Sequence, residues 1–144
     1  MGQTTTINTG VALFVDTDIS KVFIYDNRFN QEILNNPTGG TLTYPTGTVM
    51  GRVSASGKLI PFTSAAVDGS QNIVGILNDA KTVPATSDAN CFICVSGDVD
   101  PTLLVFQGAD TLNTVIGGVR VRDLLARQGI KLTATSELTK FDNS

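Results

Sequence analysis

Apolar residues fall in short runs along this chain, separated by clusters of Gly, Pro, Asn, Asp and Ser. The clearest pair of runs lies in residues 47–62. Val49, Gly51 and Val53 alternate with polar or flexible neighbours, which is the pattern of a half-buried strand. Ser56-Gly57 supplies a turn, because glycine reaches positive φ at no steric cost, and Lys58 to Phe62 returns as a second strand. Asn72-Ile73-Val74-Gly75-Ile76-Leu77 is a third run, entered through the turn-forming Asp68-Gly69-Ser70.

Elsewhere the same reading gives apolar runs at Val11-Ala12-Leu13-Phe14-Val15 and Val22-Phe23-Ile24-Tyr25, with a solvated turn over residues 16–20. Asp16 and Asp18 could open a calcium loop, but its glycine and distal glutamate are missing. Residues 27–36 are polar and rich in asparagine, and Pro37-Thr38-Gly39-Gly40 is a break. The pattern therefore predicts an N-terminal arm and extension over residues 1–40 and a β-rich domain over 41–140. Within that domain it predicts a strand at 41–44, a loop with Pro84 at 81–88, a strand at 91–95 and a turn at 97–101. Asp110 is placed to cap a helical turn over 111–116.

Residues 119–129 carry the best helical period: Val121, Leu124, Leu125 and Gln128 share one face, and Gly129 is placed to end the helix in the left-handed conformation. A last strand follows at 130–135, and 141–144 reads as a loose tail. The elements sum to a mainly β fold, a small barrel or sandwich with one or two short C-terminal helices and an extended N-terminal arm.

The composition narrows what such a scaffold does. Of 144 residues only 16% are charged, against about 25% in an average protein, while Thr alone counts 19. A low-charge surface suits a protein that works against other proteins. Net charge is −3 and the basic residues are scattered, only Arg120, Arg122 and Arg127 clustering, so no nucleic-acid partner is expected. No run approaches the ~20 apolar residues that span a bilayer. Gly2 and Thr6 fit the outline of a myristoylation signal, but no basic cluster follows, and no membrane partner is expected.

The candidate chemistry is thin. Cys91 and Cys94 form a Cys-x-x-Cys pair, yet they sit in a β-forming run where residues three apart point to opposite faces. Histidine is absent, which removes the commonest general base and half of a usual zinc site. Asp98 and Asp100 lie in a Gly/Pro turn context, as do Ser54, Ser56, Ser64 and Ser70 in theirs, and there is no Gly-x-Ser-x-Gly elbow or phosphate-binding glycine loop. The expectation is a protein that is not an enzyme, with no cofactor, no metal and no catalytic residue. Residues Gln3, Thr4, Thr5, Thr6, Ile7, Asn8 and Thr9 are uncharged and β-forming, suited to adding a strand to another protein's sheet edge.

The order of Gly47-Thr48-Val49-Met50-Gly51-Arg52-Val53, Ser56-Gly57-Lys58, Asp68-Gly69-Ser70-Gln71, Val74-Gly75-Ile76-Leu77, Val95-Ser96-Gly97-Asp98-Val99 and Leu124-Leu125-Ala126-Arg127-Gln128-Gly129-Ile130 resembles the lambda-type head decoration proteins of tailed bacteriophages. The likeness covers about residues 40–135. Residues 10–36 depart from it, being longer and more apolar than the family's short polar arm.

The resemblance implies a homotrimer made in the host cytoplasm. It would sit on the outer capsid surface of the virion, at local three-fold sites of the expanded head. There it would bind the major capsid protein and cement the shell against the pressure of packaged DNA, with residues 3–9 as the capsid-binding arm. The competing expectation is a phage fibre or surface binding module recognising a host-surface ligand. It is weakened by the absence of Trp and the presence of only two Tyr.

Overall fold

The structure, a computed structural model, describes residues 21–133. In chain order its strands are β1 (Phe23–Asn36), β2 (Leu42–Tyr44), β3 (Val49–Arg52), β4 (Leu59–Pro61), β5 (Ile73–Leu77), β6 (Lys81–Val83) and β7 (Ser87–Val99). A 3-10 turn (Pro101–Leu103) follows, then the short hairpin β8 (Val115–Ile116) and β9 (Val119–Arg120). Helix α1 (Val121–Gln128) and β10 (Ile130–Leu132) close the described chain.

Strands β1, β4, β3, β5 and β7 are neighbours in that order, and β7 pairs back onto β1, so the five close into a barrel. The seam is the long antiparallel β1–β7 ribbon, which runs from Phe23 opposite Val99 to Asn36 opposite Ser87. β4 joins β1 in parallel at Leu59 and Leu34, and β10 adds in parallel to β7 outside the ring. The expected hairpin stands: β3 pairs antiparallel with β4, and Val53, Lys58 and Gly57 hydrogen-bond across the turn between them.

Two apolar cores follow from this closure. Leu34, Met50, Leu59, Leu77, Cys91 and Ile93 come from all five barrel strands and fill the lumen, joined by Tyr44 and Val83 from the β2–β6 pair. Val49, Ile76, Cys94 and Val99 point the other way and are covered by Phe62, Val121, Leu125 and Ile130. Neighbours such as Val49-Met50, Ile76-Leu77 and Ile93-Cys94 thus bury opposite faces of one sheet. This is why those strands read as apolar runs rather than strict alternation. Each fully buried side chain of this size contributes about 1.5–3 kcal/mol.

Helix α1 keeps the expected stripe. Val121 and Leu125 are buried, and the Gln128 amide donates to the Val74 carbonyl at 2.5 Å, fastening the helix to β5. Gly129 caps it at φ 102°, its N–H directed to the Ala126 and Leu125 carbonyls. The helix begins two residues later than its period predicts, because Val119 and Arg120 are held as β9 against Ile116 and Val115.

Several expectations need correction. Residues 27–36, read as a polar, asparagine-rich part of the N-terminal extension, belong to β1, so this described part of the expected extension is a member of the barrel. β1 tolerates its polar composition because its polar side chains are either exposed or hydrogen-bonded. Asn36 is fully buried and donates to the carbonyls of Gly40, Val83 and Pro84 while accepting from the N–H and hydroxyl of Thr38. Arg52 grips Glu32 with two parallel bonds of 3.0 and 2.9 Å.

The loop expected at 81–88 contains β6, paired with β2. The turn expected from residue 97 is instead strand to Val99. Gly97, at φ 115°, lies opposite a bulge in β1, where a Cβ would press on the backbone of Asp26 and Asn27. No helical turn forms over 111–116. The Asp110 carboxylate accepts instead from the Ser64 N–H and hydroxyl at 2.9 and 2.6 Å, tying two loops together.

Candidate interaction surfaces

The expected capsid-binding residues Gln3, Thr4, Thr5, Thr6, Ile7, Asn8 and Thr9 lie outside the described residues, as do the run at 11–15, the Asp16/Asp18 pair and the 141–144 tail. The other residues singled out by chemistry are all placed. Cys91 lies in the lumen core and Cys94 in the outer one, on opposite faces as their spacing requires. Burial pushes both thiols up, and the Glu32 carboxylate adds to the rise at Cys91.

Asp100 is buried with its Oδ1 accepting from the Thr102 N–H and hydroxyl, which caps the 3-10 turn. Asp98 stays on β7, beside Lys131 of β10. Ser64 and Ser70 donate their hydroxyls to Asp110 and Asp68, and Ser56 accepts from the Lys58 N–H. These serine–carboxylate pairs lock turns. Among the described residues, no three His, Cys, Asp or Glu side chains converge on a metal position. Among them also, no helix is long and apolar enough to cross a membrane.

Both thiols are protonated in the folded chain and lose the burial that raises them when it unfolds. The sign is fixed: above the unfolded thiol pKa of about 8.5 the unfolded state sheds protons that the folded state keeps. Stability therefore falls as pH rises, by up to about 1.4 kcal/mol per thiol per pH unit. Urea unfolding at neutral and at mildly alkaline pH checks this, and folded protein should react with a thiol reagent only as fast as it opens. Immediate labelling of both cysteines in the folded state contradicts it.

What the structure presents outward is apolar sheet. On the outer face of the β1–β7 ribbon, Phe29, Gln31, Ile33 and Asn35 of β1 stand opposite Cys94, Phe92, Asn90 and Asp88 of β7. Phe29, Ile33 and Phe92 are 38%, 39% and 49% exposed. Phe29 also meets Phe23 edge to face, with ring centroids 5.3 Å apart. Alongside, a groove of about 380 Å³ runs between Gln31, Ile33 and Asn90 and the Ser56-Gly57-Lys58 turn.

A second, apolar groove of about 270 Å³ lies between Leu42, Tyr44, Pro45, Pro61, Val105 and Phe106. A third, of about 390 Å³, follows the exposed side of α1 and β10 past Arg122, Asp123, Ala126 and Lys131. Arg120, the remaining member of the expected basic cluster with Arg122 and Arg127, bonds the Asn113 carbonyl at 3.0 Å. The sequence pattern missed the ribbon face because it treats 27–36 as a polar segment of the N-terminal extension. The alternation of Phe29, Gln31 and Ile33 was the available signal.

A family model described as bacteriophage lambda head decoration protein D matches residues 30–115. No curated protein matches the chain.

Proposed function

The chain belongs to the bacteriophage lambda head decoration protein D family, and on that premise we propose that it is a homotrimeric cement protein of the outer capsid surface. It binds the major capsid protein at local three-fold sites of the expanded head. The barrel over the described residues forms the knob, and residues 3–9 add a strand to a capsid subunit's sheet. The attached trimer holds neighbouring subunits together against the outward pressure of packaged DNA.

The family match carries this reading. The structure supports it in one further respect: Ser64, Ser70 and Asp100, weighed above as catalytic candidates, are engaged in turn locks and a cap. A protein of this kind works by differential affinity. If it binds the expanded lattice and not the unexpanded one, each bound trimer shifts the shell toward the expanded state by mass action. Three arms engaging one three-fold site raise the effective affinity well beyond that of one arm.

Co-sedimentation with heads of the encoding phage, prepared without this chain, tests the proposal. Saturable binding to expanded heads and none to unexpanded heads is expected. Equal binding to both, or to neither, contradicts it.

A further inference from the structure

We propose that the apolar groove between Leu42, Pro45, Pro61, Val105 and Phe106 is the seat of residues 11–15 of the same chain. This docking requires neither a trimer nor a capsid.

Val11-Ala12-Leu13-Phe14-Val15 is a run of five consecutive apolar residues. Such a run needs cover, because in water it forgoes the burial of its apolar surface and invites association. The described chain begins close to the groove. The Val22 carbonyl accepts from the Asp100 N–H at 2.8 Å, and Val22 Cγ2 lies 3.4 Å from the position a Cβ on Gly47 would take. Thr48, the next residue, lines the groove, so its backbone lies within about 9 Å of Val22. Val105, a second lining residue, donates its N–H to the Gly47 carbonyl at 2.9 Å and pairs with Thr48. Six residues, 16–21, join the run to Val22 and span up to about 20 Å when extended. The tether is longer than the gap it has to cross.

The groove suits an uncharged, apolar occupant. Its one ionisable group, the Tyr44 phenol, donates to the Asn35 carbonyl at 3.1 Å, and the Thr48 hydroxyl donates to the Pro45 carbonyl at 2.6 Å. Aromatic and aliphatic surface is what remains, with the Gln107 amide as the other polar side chain. The other two grooves carry Glu32 and Lys58, or Arg122, Asp123 and Lys131, which an unbroken apolar run cannot pair. Apolar walls alone would accept many partners, and the tether decides among them. A segment on a short flexible linker sits at an effective concentration in the mM range, so a free ligand of ordinary affinity is outcompeted. Once seated, the run makes residues 3–9 leave from a fixed point on the barrel, which lowers the ordering cost of any strand they add to a partner.

Cysteine cross-linking of the full-length chain tests this. Leu13→Cys and, separately, Phe14→Cys sample both faces of an extended run. Each is combined with Leu42→Cys or with Gln107→Cys, whose exposed position stays informative if replacing Leu42 disturbs β2. Tyr25→Cys is the control: Tyr25 is 71% exposed and three residues from Val22, so an unseated run meets it as readily. The native Cys91 and Cys94 are buried and do not compete. A disulfide forms only when the two Cα atoms come within about 7 Å. With oxidised glutathione, bonds within one chain are expected to form roughly tenfold faster to position 42 or 107 than to position 25. They are read as a reducible, faster-migrating single-chain band on a denaturing gel. Equal or faster bonding to position 25, or no bond to any of the three, overturns the docking. Bonds that join two chains, read as a doubled mass, overturn the choice of occupant in favour of a neighbouring copy's run.

Discussion

Gly51→Ala should lower the unfolding free energy by about 3 kcal/mol, the upper part of the cost of overpacking a core. The cause is backbone, not side chain. Gly51 lies on β3 where its pairing with β5 shifts register: Met50 is opposite Gly75, but Gly51 is opposite Ile73. The loop before β5 crosses over this point, and a Cβ on Gly51 would run into the carbonyl group and Cα of Ser70.

Ser70 cannot step aside cheaply. It is buried, and its N–H and hydroxyl are both bonded to the Asp68 carboxylate at 3.0 and 2.6 Å. Either that turn breaks or β3 leaves its neighbours. For a domain of this size the loss corresponds to a fall in melting temperature of roughly 10 °C. Gly39→Ala is the matched control, because a Cβ there meets nothing within 4 Å, and its effect should stay within about 0.5 kcal/mol. Thermal unfolding of both variants decides the matter; equal melting temperatures would show that the Ser70 crossing does not constrain β3.

Removing residues 1–10 should reduce occupancy of expanded heads by more than about a hundredfold while leaving the fold intact. The magnitude follows from multivalency, since a trimer that loses its arms loses three linked contacts at once, and linkage alone is worth about 10²–10⁴ in affinity. The fold should survive because every core residue named above lies between Leu34 and Ile130. Gel densitometry of sedimented heads gives the occupancy, and circular dichroism checks the fold. Full occupancy by the truncated chain would reject strand addition by residues 3–9 and leave the knob as the attachment surface.

Much of the barrel is legible in the sequence wherever a strand is an apolar run and its ends carry turn residues. The β3–β4 hairpin, β5 and the centre of β7 are of this kind, and the Gly129 stop of α1 is legible from its glycine. The opposed burial of Cys91 and Cys94 is also legible, from parity alone. β1 is not, because its stability comes from distant partners. Asn36 is satisfied by carbonyls of residues 83 and 84, Glu32 by Arg52, and the strand as a whole by the long ladder to β7. A local window contains none of these.

The same holds for Asp110, whose partner Ser64 is 46 residues away, and which a local reading therefore takes for a helix cap. Gly97 reads as a turn because glycine usually marks one. Here it lies inside a strand opposite a bulge in β1, a distinction set by the closeness of Asn27. The ribbon face was hidden for a related reason: its apolar residues are diluted by amides.

Electron cryomicroscopy of expanded heads, reconstructed with and without this chain, addresses the structural role most directly. Trimeric difference density on the outer surface at local three-fold positions, large enough for three barrels, is the expected result. Difference density inside the shell, at other symmetry positions, or none at all would contradict the assignment of this chain as an outer cement.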